Sequence, residues 1–341
     1  MKLRSQELRK IAPELDPLRL GTGWKLEDLS KPQIMIESTF GDSHPGSGHL
    51  LELVEEARAG IAEAGGHGAR YFTTDICDGE AQGHDGINYS LASRDMIANM
   101  IEIHANATPF DGGVFVASCD KGMPAHLMGV GRVNIPSIIV TGGVMDAGPD
   151  LLTLEQIGKY NAMCERGEIT QEKLTFYKQN ACPSCGACSF MGTASTMQIM
   201  AEALGLMLPG SALMPATSKD LRVVAREAGK QSVWLAEHDL TPDKIVTMKS
   251  FENAIMVHAA ISGSTNSLLH LPAIAREFGI EIDGDTFDRL HRGAHYLLNI
   301  RPAGEWPAQF FYYAGGVPTI MEEIKDMLHL DVMTVTGKTL G

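Results

Sequence analysis

Three cysteines separated by two residues each, in Cys182-Pro-Ser-Cys185-Gly-Ala-Cys188, are the densest chemical signal in the chain. The small residues between them let the backbone turn tightly, so the thiols can converge on one inorganic centre. A zinc ribbon would want a second Cys pair of similar spacing or a Cys/His pair; none follows, which favours iron-sulfur over zinc. Cys77 and Cys119 are each followed by an aspartate, Asp78 and Asp120. An isolated buried cysteine is ordinarily a small core hydrophobe, but two Cys-Asp pairs in matching places weaken that reading. Thiolates suit soft iron and carboxylates suit hard Mg²⁺, so alternating Cys and Asp reads as two adjacent centres, one soft and one hard. Lys121 either simply neutralises Asp120 or takes part in the hard site; residue type alone leaves both open.

Ser262-Gly-Ser264-Thr265-Asn266, ahead of an apolar helix, offers amides and hydroxyls suited to a substrate carboxylate or phosphate; plain helix capping explains the same residues. His84 lies in the Gly-rich loop after Asp78 and is a candidate substrate contact, whereas His258 and His270 lie on expected helices and read as structural. Two tempting patterns fail. Gly337-Lys338-Thr339 lacks the upstream glycine of a phosphate loop, and Gly129-Val-Gly131 lacks the third glycine of a dinucleotide fingerprint.

Short apolar strands are expected at 71–76, 113–117 and 137–140, and helices at 49–64 (stopped by Gly65-Gly66) and from Ser90 or Ser93 to Ala107. This rhythm predicts an α/β fold with a mainly parallel, helix-covered sheet. Three polar motifs fall directly after the strands: Cys77-Asp78-Gly79, Cys119-Asp120-Lys121-Gly122 and Thr141-Gly142-Gly143. In open α/β sheets ligands bind beyond the carboxyl ends of strands, so one sheet edge should gather all three. Helices are further expected at 193–208, 219–237, 251–260 and 266–278. The polar stretch from Cys164 to Cys182 reads as a linker or lid. The expected organisation is an arm at 1–33 packing on a neighbour, an α/β subdomain at 34–163 carrying the Cys-Asp motifs, and a second, helix-rich α/β subdomain at 164–341.

With 341 residues, 44% hydrophobic and 21% charged, the chain can bury a large core. Its 42 acidic and 28 basic residues give a net charge of -14, which argues against nucleic acid and anionic membranes as partners. No apolar stretch reaches membrane-spanning length and the N-terminus lacks a signal-peptide core, so a cytoplasmic location is expected. There, six cysteines suit metal or cluster ligation better than disulfides.

The motifs CDGEAQGHDGINYSLASRD, ASCDKGMPAHLMG, CPSCGACSFMGTASTMQIMAEALGLMLPGSAL, FENAIMVHAAISGSTNSLLHLPAIA, AGGVPTIMEEI and TVTGKTLG occur in this order. Together, from about Gly21 to the last residue, they resemble the dehydratase family that includes dihydroxy-acid, phosphogluconate and sugar-acid (xylonate, arabinonate) dehydratases. The resemblance implies an N-terminal α/β domain followed by a β-barrel-like domain, homodimers or homotetramers, and an active site between domains. By motif, it makes Cys119 and Cys188 cluster ligands, Asp78 and Asp120 Mg²⁺ ligands, and Lys121 a carbamylated, metal-bound lysine.

Some family members carry a further cluster cysteine in a Pro-Cys-Asn motif where this chain reads His44-Pro45-Gly46-Ser47-Gly48-His49. Cys77 is therefore expected as third ligand, with Cys185 or Cys182 as alternatives, in a [2Fe-2S] or [4Fe-4S] cluster. The sequence given ends where the family continues into its second domain, so the base and a further carboxylate are expected from there. The implied activity is a hydro-lyase taking a small-molecule acid to a 2-keto acid, with a sugar acid favoured. The alternatives are dihydroxy-acid dehydratase of branched-chain amino acid biosynthesis and, from other classes, a non-catalytic iron-sulfur structural or assembly subunit or an electron-transfer protein.

Overall fold

A computed structural model describes residues 3–341. Four strands, β1 (Gln33–Ser38), β2 (His67–Phe72), β3 (Gly112–Ala117) and β4 (Ser137–Thr141), form one parallel sheet in the order β2-β1-β3-β4. Every residue of β1, β3 and β4 is buried, as the near-continuous apolar runs of a helix-covered parallel sheet require. β2, at one edge, alternates in burial. β4 is an edge by order, yet its Ile139 N–H is capped by Leu206 O at 2.8 Å, which removes an open strand edge.

The Leu50–Glu63 helix packs along the Lys219–His238 helix, and the Ser90–Ala107 helix along the Gly122–Val133 helix. With this strand order, the right-handed crossovers that parallel sheets follow require the two pairs to lie on opposite sheet faces. In the first pair the backbones touch: a Cβ at Gly60 would lie 1.9 Å from Arg226 O, and one at Gly229 would lie 2.1 Å from Ala57 O. One cluster of buried apolar residues runs from Ile34 to Val335. Within it the Thr193–Ala203 helix is buried at all its positions, as a helix threaded through a core must be.

Several expectations shift. The strand expected at 71–76 lies at His67–Phe72, because β2 is set by its register with β1, from Gln33↔His67 to Ser38↔Phe72, rather than by its own sparse apolar pattern. Cys77 therefore stands five residues beyond the strand. The inner strand β1 escaped notice altogether, its first residue, Gln33, closing the supposed arm and the other five opening the expected α/β subdomain. That arm folds onto its own domain: Ser5 donates through its backbone N–H and Oγ to Asp111 at 2.8 and 2.6 Å. The helix expected at 193–208 stops at Ala203, since Leu206 is drawn out to pair with β4. The stretch read as a linker belongs to two helices, Gln156–Glu165 and Gln171–Asn180, pinned by stacking of Tyr160 on Tyr177 at 3.9 Å. Within the described residues no helix is long and apolar enough to cross a membrane.

Candidate active site

Strand order reverses between β1 and β3, and the loops leaving their carboxyl ends diverge there, opening the crevice typical of such sheets. Cys119 stands two residues past β3. The loop after β1 comes against it so closely that a Cβ at Gly46 would lie 2.0 Å from Cys119 Sγ. The three-cysteine run is fastened to the same place. Gly186 N–H donates to Pro45 O at 2.9 Å, Ala187 N–H to Gly143 O at 3.0 Å, and Met145 N–H to Ala187 O at 2.8 Å. Gln198 Nε2 ties the ends of β3 and β4 together, donating to Ser118 O and Gly143 O at 3.0 Å each. Loops distant in sequence are thus held by backbone contacts and by the Gln198 amide, which leaves the cysteine and aspartate side chains available for chemistry.

These loops enclose a cleft of about 660 Å³ whose walls include Cys77, Cys119, Cys188, Asp78 and Asp120. Lys121, 5% exposed, donates Nζ to Asp78 Oδ2 at 2.5 Å. Both Asp78 oxygens also accept from Ser90 Oγ at 2.8 Å. Asp120 Oδ1 accepts the Ala194 N–H at 3.0 Å, in the first turn of the Thr193–Ala203 helix, where the helix dipole favours an anion. Leu154, Ile157 and Phe190 supply apolar wall.

Burial, then the charges of Asp75 and Asp120, push the Cys119 thiol well above its usual range; Cys77 and Cys188 are within its electrostatic reach. Burial and Asp120 push Cys188 up, and burial does the same to Cys77. Asp120 is raised to about 6 by burial and by Asp78. Three thiols and two carboxylates so placed need local positive charge to ionise together, which a bound metal would supply. Among the described residues no three His, Cys, Asp or Glu side chains are close enough to hold a single ion. A polynuclear cluster is bound by more widely spread thiolates, and only two of the five cleft donors, Asp78 and Asp120, are carboxylates. Gly46 leaves space against Cys119 that any side chain would fill. The donor set therefore fits a cluster beside a hard cation.

Cys185 is partly buried and does not line the cleft, and Cys182 is exposed. Ser264 reaches the cleft wall, with its Oγ 3.1 Å from Thr193 Oγ1. Asn266 Nδ2 donates to that same threonine at 2.8 Å. Thr265 is exposed. His84 does not line the cleft; its ring nitrogens are taken by Glu80 O at 2.9 Å and the Gly86 N–H at 3.0 Å, a capping role. His270, read as structural, is buried within the field of Lys121 and Arg94. Burial, then those two charges, lower it to about 3, and Arg94 Nη1 lies 3.1 Å from its Nδ1. Thr193, Ser90, Gln198 and Arg94 were missed as site residues in the sequence: each is an ordinary helix residue, and only packing brings it to Ser264, Asp78, the strand-end carbonyls and His270 respectively.

A parallel sheet carrying these thiols and carboxylates at its switch point matches the family described as dihydroxy-acid/6-phosphogluconate dehydratase N-terminal over residues 31–341, and the chain belongs to that family. It is 44% identical over 327 residues to dihydroxy-acid dehydratase 1 of Methanosarcina acetivorans, covering 94% of this chain and 58% of that protein. It is likewise 44% identical to the dihydroxy-acid dehydratase of Methanococcoides burtonii, covering 92% of this chain and 57% of that one. To the enzyme of that name from Acetivibrio thermocellus it is 42% identical, covering 93% and 58%. The chain thus spans somewhat over half the length of these relatives.

Proposed function

We propose that the chain forms the metal-holding part of a dihydroxy-acid dehydratase, which removes water from a 2,3-dihydroxy acid to give a 2-keto acid. The single observation carrying this reading is the meeting of Cys77, Cys119 and Cys188 with Asp78 and Asp120 in one cleft. The sequence favoured a sugar acid as substrate. That preference has support only at the level of the family, whereas the relatives' names support the dihydroxy-acid alternative and a place in branched-chain amino acid biosynthesis.

Loss of water takes the hydroxyl from C3 and the proton from C2, leaving an enol that tautomerises to the keto acid. An iron-sulfur cluster and Mg²⁺, when bound, supply the Lewis acidity that eases departure of the hydroxyl and acidifies the C2 proton. In this reading Cys77, Cys119 and Cys188 would hold the cluster. Asp78, Asp120 and Lys121, the last as its carbamate, would hold the magnesium. Ser264 and Thr193 offer hydroxyls to a substrate oxygen near a helix N-terminus. Leu154, Ile157 and Phe190 exclude water, which strengthens each polar contact inside. The division into parts at 34–163 and 164–341 belongs to the same proposal, Cys77 and Asp120 coming from the first and Cys188 and Ser264 from the second. The resemblance leaves the C2 base to a serine of a further domain.

The test is anaerobic purification of the protein from its native source, iron and sulfide analysis, and a 2-keto acid assay. 2,3-Dihydroxyisovalerate should be turned over in preference to xylonate, gluconate and 6-phosphogluconate. Preferred turnover of a sugar acid would overturn the substrate assignment, and an intact cluster with no keto acid from any of them would overturn the reaction.

A further inference from the structure

A second polar cluster, outside the cleft lining, reaches the same sulfur. His44, Asp75 and Ser47 are 4%, 2% and 0% exposed. His44 Nε2 lies 3.1 Å from Asp75 Oδ1, and Ser47 Oγ donates to that oxygen at 2.5 Å. The other imidazole nitrogen, Nδ1, lies 4.0 Å from Cys119 Sγ. Gly46 keeps this line of approach open, since a Cβ there would stand 2.0 Å from Cys119 Sγ and 3.2 Å from His44 Nδ1. Asp75 Oδ2 is buried with no partner. A buried carboxylate left half-satisfied is expensive to keep unless a positive partner balances it, and the imidazole is the group it faces.

We infer that His44, oriented by Asp75, is a positioning residue for Cys119 that donates a hydrogen bond from Nδ1 to the ligating sulfur. As an imidazolium paired with the buried Asp75 carboxylate, the ring donates Nε2–H to Asp75 and has Nδ1–H left for the thiolate, the arrangement by which outer-shell partners orient metal ligands. A donor at the sulfur draws off negative charge, so it stabilises the reduced cluster and raises the reduction potential. Ser47 donates to the same carboxylate oxygen that faces the ring, keeping the chain Ser47, Asp75, His44, Cys119 connected through buried contacts. The inference rests on the reading of Cys119 as a cluster ligand.

The test uses the chain reconstituted anaerobically with ferrous iron and sulfide, and reads cluster loss to a chelator, the midpoint potential and the electron paramagnetic resonance spectrum. His44→Leu should lose its cluster at least about tenfold faster than wild type and show a lower midpoint potential with a shifted spectrum. His44→Asn keeps an N–H donor at the δ position and should recover part of both. Circular dichroism melts of each apo-variant establish that it folds. Wild-type loss rate and potential in a folded His44→Leu chain would overturn the inference. If Cys119→Ser holds the cluster as wild type does, the ligand reading itself fails and the inference falls with it.

Discussion

Lys121 and Asp78, 43 residues apart in sequence, are joined by a 2.5 Å ion pair across two loops at the carboxyl edge of the sheet. The lysine side chain is 6% exposed and the aspartate 16%, so the pair is desolvated and each member depends on the other. Removing one partner of such a pair leaves a buried charge uncompensated. Asp78→Asn is expected to destabilise the chain by roughly 3 kcal/mol, while the double variant with Lys121→Met regains part of that loss. Urea unfolding of the metal-free single and double variants measures the coupling; strictly additive losses would contradict it. Mg²⁺ affinity by calorimetry should fall by roughly 100-fold or more in Asp78→Asn.

The clamp made by Gln198 holds two buried carbonyls at once. Gln198→Leu preserves volume but strands Ser118 O, whereas Gly143 O keeps the Ala187 N–H; a buried group left unsatisfied costs about 1–3 kcal/mol. A loss of roughly 1–3 kcal/mol in denaturant unfolding is expected, with faster hydrogen exchange at Met145 and Ala187, the amides on the neighbouring loops. Stability unchanged from wild type would show that the clamp contributes nothing.

Backbone contact between the Leu50–Glu63 and Lys219–His238 helices leaves no space for a methyl group at Gly229. Gly229→Ala should destabilise by about 1–3 kcal/mol through overpacking. Gly158, inside the Gln156–Glu165 helix, has nothing within 4 Å of an added Cβ, so Gly158→Ala should stabilise by roughly 0.5–1 kcal/mol through helix propensity. Opposite signs in paired thermal melts are the outcome to look for.

Glu202 is buried, accepting N–H bonds from Gly210 and Ala212 at 2.6 and 2.7 Å. Burial outweighs those bonds and raises its carboxyl from 4.5 to about 7. A folded-state value above the unfolded one means that the protonated form is favoured by folding. Its contribution is therefore full below about pH 4.5 and lost as pH rises towards 7, by roughly 3 kcal/mol in total. Stability of wild type relative to Glu202→Gln should fall across that window. Parallel pH profiles for the two proteins would refute the assignment.

The sequence by itself determined the parallel α/β class, the helices at Leu50–Glu63, Ser90–Ala107 and Lys219–His238 to within a residue or two, and the candidate donors Cys77, Asp78, Cys119, Asp120, Lys121 and Cys188. These were legible because helical periodicity is local and because thiol and carboxylate chemistry is carried by residue type. Only the tertiary structure decided which of these groups meet. β1 and β2 were misread because a buried parallel strand and a half-polar edge strand take their limits from their neighbours' register, not from their own pattern. His84 was turned away from the cleft by backbone partners two and four residues off. Thr193, Gln198 and the His44–Asp75 pair gained their places from contacts between loops far apart in sequence, where distance and burial, rather than residue type, set what a side chain can do.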